Sequence, residues 1–129
     1  MFDVQRYLSE RKALIDSALT RYLTQKRRCP RGLLQAMRYG IFAGGKRIRP
    51  ISTLASGEVF GAQKNSLLPF ACALEFIHAY SLIHDDLPAL DDDDFRRGEL
   101  SNHKVFGEGT ALLAEPLPAI ARYVVERKA

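Results

Sequence analysis

The chain has 129 residues, enough for one modest domain, and its 47% hydrophobic and 26% charged residues are ordinary for a globular protein in water. The net charge of +4 favours anionic partners, phosphorylated metabolites among them, without choosing between them. No stretch approaches the roughly 20 apolar residues of a membrane span. Two cysteines without metal-ligand spacing, and no recognisable signal peptide, predict a reduced, cytoplasmic protein.

The first part of the chain is predicted to be two helices joined by a basic turn. Residues 3–26 form an amphipathic helix with Asp3 as its N-cap, and Pro30 suits the first turn of a second helix over residues 31–43. The turn at residues 26–32 lacks aromatic interleaving and any nucleic-acid motif, so a solvated turn is favoured over nucleic-acid binding. The apolar stripe of the first helix comprises Val4, Leu8, Ile15, Ala18, Leu19, Tyr22 and Leu23.

A second cationic turn follows at residues 44–50, which read GGKRIRP. Its two glycines are expected to end the second helix, and Pro50 is expected to begin a third helix over residues 50–60. It is not a Walker loop, because the spacing differs and no hydroxyl residue follows Lys46. Taken alone, the turn predicts an exposed basic loop, after which Ser66 can cap a long helix.

Residues 85–98 read DDLPALDDDDFRRG and contain six aspartates followed by two arginines. Six carboxylates this close repel one another unless cations lie among them. Oxygen-only ligands favour Mg²⁺ or Ca²⁺ over zinc, and the EF-hand spacing is absent. Adjacent arginines are suited to binding phosphates bidentately, so the segment predicts diphosphate binding bridged by Mg²⁺. The alternative is a solvated acidic loop that closes a helix.

An apolar helix over residues 67–84 leads into this segment. If the helix continued, His78, Asp85 and Asp92 would recur every seven residues on one face. Pro88 is expected to kink the helix between the two aspartates. We therefore expect the distortion to let both ends of the cluster face a shared substrate with several ions.

The string DDLPALDDDDFRRG, preceded by IHAYSLIH, resembles the first aspartate-rich motif of the trans-isoprenyl diphosphate synthases, and is most similar to the bacterial farnesyl and geranylgeranyl diphosphate synthases. GGKRIRP is similar to the string that binds isopentenyl diphosphate in that family. The resemblance covers residues 1–114, and residues 115–129 diverge. It implies an all-α fold, the front part of an antiparallel isoprenoid-synthase bundle, as a single partial domain over residues 1–129. Five or six helices are expected, the last over residues 119–127.

The resemblance also implies an activity and the residues that serve it. The family condenses isopentenyl diphosphate with an allylic diphosphate, dimethylallyl or geranyl, into farnesyl or geranylgeranyl diphosphate, using two or three Mg²⁺ ions. The implied metal ligands are Asp85, Asp86, Asp91 and Asp92, with Asp85 and Asp91 the most firmly indicated. These two are expected to act in catalysis with Arg96, which binds the allylic diphosphate. The implied isopentenyl diphosphate site comprises Lys46, Arg49, His78 and Arg97, with Arg47 beside them.

Two residues before the aspartates are implied in product length. By the resemblance, Tyr80 and Ser81 lie at the floor of the pocket for the growing prenyl tail. A bulky Tyr80 favours a fifteen-carbon over a twenty-carbon product. Simple helix packing is the alternative role for Tyr80.

Complete family members also carry a second aspartate-rich motif, which this sequence lacks. We therefore expect this chain alone to catalyse little or no chain elongation. A homodimer, or association with a full-length subunit, is expected because the exposed apolar faces of part of a bundle tend to associate. The alternative is a catalytically inactive helical interaction module, derived from such a synthase, that pairs with a full-length subunit. Neither a nucleic-acid partner nor a membrane span is expected.

Overall fold

Helix-forming, amphipathic sequence accounts for most of the architecture. The structure is a computed structural model that describes residues 1–24, 29–114 and 116–126, and these residues form seven helices and one short hairpin. The all-α fold class is confirmed, with more helices than the five or six expected. The elements are α1 Val4–Thr24, α2 Arg31–Phe42, α3 Ile48–Val59, α4 Lys64–Asp85, β1 Phe95–Arg96, β2 Glu99–Leu100, α5 Asn102–Phe106, α6 Glu108–Leu112 and α7 Pro116–Glu126.

Helix α4 is the centre of the fold and packs against α1, α2, α3, α6 and α7. Its most apolar 18-residue window has a mean hydropathy of 1.5, and 50% of that window is buried inside the fold. By length and composition alone, it is the one helix among the described residues that could cross a membrane. Its packing against five other helices gives it the position of a core helix.

The core forms where the apolar stripes of the first four helices meet. Ile15, Met37, Leu54 and Phe76, one from each of α1 to α4, are all completely buried. Phe76 also lies edge-on to Tyr22, with 6.5 Å between ring centroids. The predicted stripe of α1 is confirmed for its buried members Ile15, Ala18, Leu19 and Leu23, while Val4 is exposed.

The predicted helix starts are partly confirmed. The carboxylate of Asp3 accepts a hydrogen bond from the backbone N–H of Arg6 at 3.0 Å, as an N-cap does. Helix α3 begins at Ile48 rather than at Pro50. Arg47, the residue before Ile48, has a left-handed backbone conformation (φ 55°) that already turns the chain into the helix. The prediction that Ser66 caps α4 is wrong, since that helix begins at Lys64.

The prediction that the α4 helix continues through a kink at Pro88 is wrong. Pro88 has no N–H to donate to the carbonyl of His84, and the helix instead ends at Asp85. The chain then folds back, so that the N–H of Asp91 donates to the carbonyl of Asp85 at 2.9 Å. Asp92 lies in the left-handed region (φ 53°), off the helical face on which the sequence placed it.

A two-residue loop joins β1 to β2, and the sequence did not predict this hairpin. Both loop residues, Arg97 and Gly98, have positive φ (54° and 82°), which the favoured type I′ hairpin turn requires. The hairpin directs the arginine pair back toward α2 and α4.

The last helix also differs from its prediction. Helix α7 begins at Pro116, not at residue 119, because a helix needs no intrahelical N–H bonds in its first turn, where both prolines lie. The predicted end at Arg127 lies outside the described residues, as do residues 25–28 of the basic turn.

Candidate functional site

A cationic cavity of about 510 Å³ lies where the 44–49 turn meets α4 and the hairpin. It combines side chains from both sequence motifs, which are separated along the chain by the whole of α3 and α4. One lining residue, Glu75, is acidic, and four are basic: Lys46, Arg47, Arg49 and Arg97. The lining residues are Ala43, Gly44, Gly45, Lys46, Arg47, Ile48, Arg49, Glu75, His78 and Arg97.

Arg47 differs from the other cations of the cavity because its guanidinium is held by the protein. The side chain is only 3% exposed. Its Nε donates to Asp16 at 2.7 Å, its Nη1 to Glu75 at 2.7 Å, and its Nη2 to the carbonyl of Ile41 at 2.7 Å. Arg47 therefore lines the cavity with its charge balanced by two carboxylates.

The remaining cations lie at the cavity surface. Lys46 and Arg49 are exposed, and within the described residues neither forms an ion pair. The guanidinium of Arg49 lies 3.2 Å from Nε2 of His78. Since a guanidinium can only donate, that nitrogen accepts and the imidazole is neutral. Burial, and then the positive charge of Arg49, lower the pKa of His78.

The two glycines of the turn allow the hairpin to approach it. Nη1 of Arg97 donates to the carbonyl of Gly44. A Cβ at Gly45 would lie 2.8 Å from that same Nη1, and both glycines have positive φ (88° and 151°). The glycine pair thus does more than end α2, because it makes room for an arginine from the other motif.

The aspartates of the second motif differ in their burial and in their partners. Asp86 is 2% exposed and binds Arg96 through two hydrogen bonds, at 2.8 Å from Nε and 2.7 Å from Nη2. The bond to Asp86 raises the pKa of Arg96. Asp85 and Asp91 are exposed, and in the described part of the chain neither carboxylate has an ion-pair partner. Of the four predicted metal ligands, Asp86 is therefore the one that is already paired within the protein.

Asp92 belongs to a different group, which the sequence did not predict. One ligand atom from each of Asp92, Asp94 and His103 lies within 4.8 Å of the others. His103 is buried, and its Nε2 has no hydrogen-bond partner among the described residues. Asp94 is also paired with Lys104 at 2.9 Å. The hairpin brings this histidine to the aspartates, and no sequence spacing indicates it.

Tyr80 and Ser81 make local contacts on α4. The Tyr80 hydroxyl lies 3.4 Å from Nδ1 of His84, and Ser81 Oγ donates to the carbonyl of His78 at 2.7 Å.

One further feature of α4, an exposed apolar face, was not predicted. Phe70, Leu74 and Ile77 are 45% to 49% exposed and recur at helical spacing on the face that leads to Asp85.

Fold and site together define a largely helical protein with a cationic cavity and with exposed carboxylates at and after the end of α4. A family model described as polyprenyl synthetase matches residues 30–122, which continues beyond the resemblance seen in the sequence. The chain belongs to the polyprenyl synthetase family.

Named relatives agree with this family. The chain is 50% identical over 111 residues to the farnesyl diphosphate synthase of Geobacillus stearothermophilus, covering 86% of this chain and 37% of that protein. It is 48% identical over 126 residues to a dimethylallyltranstransferase of Fischerella ambigua, covering 96% of this chain and 36% of that protein. The chain thus spans little more than a third of these relatives.

Solved structures of this family share the fold. A geranyltransferase from Legionella pneumophila superposes with a TM-score of 0.92 at 38% identity, covering 96% of this chain and 44% of that one. The geranyltranstransferase of Thermotoga maritima gives a TM-score of 0.87 at 38% identity, covering 94% of this chain and 45% of that one.

Proposed function

We propose that this chain provides the diphosphate-binding part of a Mg²⁺-dependent prenyltransferase. The reaction condenses isopentenyl diphosphate with an allylic diphosphate, dimethylallyl or geranyl, to make farnesyl or geranylgeranyl diphosphate. The single observation that carries the proposal is the cationic cavity, whose basic side chains come from two distant motifs, the second of which also carries the exposed carboxylates of Asp85 and Asp91. The family membership and the names of the relatives support the same reaction.

The cavity suits the diphosphate of isopentenyl diphosphate. Among the described residues, Lys46 and Arg49 offer charge without a counter-ion, and Arg97 lines the same cavity. His78, kept neutral, orients Arg49 and adds no charge of its own. Guanidinium groups bind phosphate oxygens bidentately, while an ammonium acts as a point charge. The arrangement therefore favours a doubly charged, multidentate anion over a carboxylate.

The aspartates suit Mg²⁺. Asp85 and Asp91 supply hard oxygen ligands that have no ion-pair partner in the described part of the chain. Mg²⁺ takes one or two carboxylates and completes its shell with water and phosphate oxygens. When bound, Mg²⁺ neutralises the negative charge that develops on a leaving diphosphate. Arg96 gives Nε and Nη2 to Asp86, which leaves Nη1 for the allylic diphosphate. Asp86 and Asp92 remain proposed ligands; Asp86 is paired with Arg96, and Asp92 lies in a group with Asp94 and His103 that could itself hold a metal ion.

The exposed apolar face of α4 suits the hydrocarbon part of the substrate. Leu74 and Ile77 lie about three and about two turns before Asp85 on the same face, next to Ser81. A prenyl tail whose diphosphate is held at Asp85 would lie along this face, where burial of each methylene is worth about 0.8 kcal/mol. We place the floor of this channel at Tyr80, whose bulk favours the fifteen-carbon product.

The experiment is a turnover assay joined to a binding measurement. The purified chain is incubated with Mg²⁺, dimethylallyl diphosphate and labelled isopentenyl diphosphate, with Asp85→Ala as the inactive control. Binding of isopentenyl diphosphate alone is measured by calorimetry. A labelled prenyl product lost in Asp85→Ala would support catalysis within an assembly of this chain, such as a homodimer. Binding without product would support the diphosphate site and assign turnover to an association with a longer subunit.

Matched variants make the binding measurement specific. Lys46→Ala and Arg49→Ala each remove one charge from the cavity, and loss of a charge-assisted hydrogen bond weakens binding by about tenfold or more. Arg6→Ala removes the same charge from the exposed face of α1, where Arg6 pairs with Glu10, and is expected to bind normally. Equal losses in all three variants would mean that only net charge matters, and would refute the site.

A further inference from the structure

We propose that Arg47 is a positioning residue, whose guanidinium, held by carboxylates of two helices, fixes the 44–49 turn so that Lys46 and Arg49 face the same diphosphate. This proposal rests on the proposed function for its ligand. It departs from the expectation that Arg47 binds substrate beside its neighbours.

The hydrogen bonds of Arg47 join elements that are distant in sequence. Asp16 belongs to α1, Ile41 to α2 and Glu75 to α4, and all three acceptors lie 2.7 Å from their donor nitrogens. Arg47 itself precedes α3 and has φ 55°. One side chain therefore fixes the start of α3 relative to three other helices.

The turn is attached to α4 at two points in register. Arg47 binds Glu75, and two residues later Arg49 contacts His78, which lies one helical turn further along α4. If Arg47 lost its hydrogen bond to Glu75, Arg49 would also lose its position beside His78, because both attachments lie on one short turn. Lys46 directly precedes Arg47 in the turn and follows the same backbone.

Charge balance distinguishes positioning from binding. Arg47 is paired with Glu75 and Asp16, and Asp16 is also paired with Lys12 at 2.9 Å. These four formal charges cancel, so Arg47 adds no net positive charge to the cavity. The side chain is also buried, at 3% exposure, which leaves little of it for a ligand to contact.

Two substitutions of Glu75 test the role, because they remove the same charge but differ in one acceptor. Glu75→Gln keeps an oxygen for Arg47, while Glu75→Leu does not. If only charge mattered, both variants would bind isopentenyl diphosphate more tightly, since each removes a negative group from the cavity wall. Positioning predicts that Glu75→Leu binds about tenfold more weakly than Glu75→Gln, because a misplaced contact is costly. Equal affinities for the two variants would overturn the proposal.

A second readout requires no ligand. Lys46 is exposed in the turn, so trypsin cleavage after Lys46 reports how firmly the turn is held, with cleavage after Lys104 as the internal reference. We expect cleavage after Lys46 to be several-fold faster in Glu75→Leu than in Glu75→Gln, at an unchanged reference rate. Unchanged relative cleavage would contradict the proposal. Absence of binding by the unsubstituted chain would refute the proposed function, while the trypsin rates would still decide whether the turn is held.

Arg47→Lys provides an independent variant should Glu75→Leu fail to fold. Lysine keeps the charge but cannot donate in three fixed directions. We expect its affinity for isopentenyl diphosphate to fall about tenfold, with circular dichroism like that of the unsubstituted chain. Normal affinity in this variant would overturn the positioning role.

Discussion

The pair formed by Asp86 and Arg96 predicts an asymmetry between two substitutions of one interaction. The side chain of Asp86 is 2% exposed and that of Arg96 is 33% exposed. Arg96→Met leaves a carboxylate buried without its counter-ion, whereas Asp86→Asn leaves an arginine that water can reach. The two substitutions therefore remove the same pair at different cost.

The expected losses in the free energy of unfolding depend on which charged group each substitution leaves without its partner. A buried charge that has lost its partner costs about 3–5 kcal/mol. Loss of the pair at Asp86 costs about 1–2 kcal/mol, because asparagine still accepts one hydrogen bond and Arg96 is hydrated. We thus expect Arg96→Met to lower the free energy of unfolding by about 2 kcal/mol more than Asp86→Asn, a factor of roughly 30 in the unfolding equilibrium.

The assay is urea unfolding followed by circular dichroism, with the free energy of unfolding extrapolated to water. Lys104→Met is the matched control, because it breaks an ion pair to Asp94 whose two side chains are 43% and 57% exposed, and it should have almost no effect. If Arg96→Met cost no more than Asp86→Asn, Asp86 would not be desolvated as the structure has it. That result would also restore Asp86 as a metal ligand equal to Asp85, since little would then oppose its release from Arg96.

Three further predictions concern the core, the cysteines and the histidine of the cavity. Phe76→Ala should lower the free energy of unfolding by about 3–5 kcal/mol, because the ring is completely buried; a loss under about 1 kcal/mol in urea unfolding would contradict its core position. Burial raises the pKa of Cys72 to about 12, so iodoacetamide at neutral pH should label the partly exposed Cys29 first; mass spectrometry would refute this if Cys72 reacted equally in the folded chain. The pKa of His78 is lowered from 6.5 by burial and by Arg49, so the stability gained by keeping it neutral is present above that value and is lost as the pH falls below it. The unsubstituted chain should therefore lose more stability than His78→Gln between about pH 7 and pH 5 in urea unfolding, and parallel curves would exclude the effect.

Much of the fold was predictable because it depends on local pattern. The apolar period of α1, the cap at Asp3 and the glycines after α2 each act within a few residues, so the sequence predicts them directly. The end of α4 was mispredicted, because a proline after a helix can kink it or end it, and the sequence does not distinguish the two. The start of α3 was displaced by the left-handed backbone of Arg47, which is held there by distant helices.

The candidate site also has a part that the sequence predicts and a part that only the structure reveals. The residue types and the order of the two motifs predict a diphosphate site with Mg²⁺, and the structure brings Lys46, Arg49, His78 and Arg97 into one cavity. The group of Asp94 and His103 with Asp92 was missed, because it depends on a hairpin too short to leave a sequence period.

The sequence by itself determined which chemistry this protein carries: clustered carboxylates, two cationic segments, and an apolar helix leading to them. Only the tertiary structure decided which charges are free and which are neutralised. Arg47 meets Asp16 across 31 residues and Glu75 across 28, while Asp86 is buried against Arg96 and Asp85 is not. The physical reason is that a charge becomes structural or functional through its desolvation and its partners. Both are set by how the helices pack, and neither is encoded in residue type or spacing.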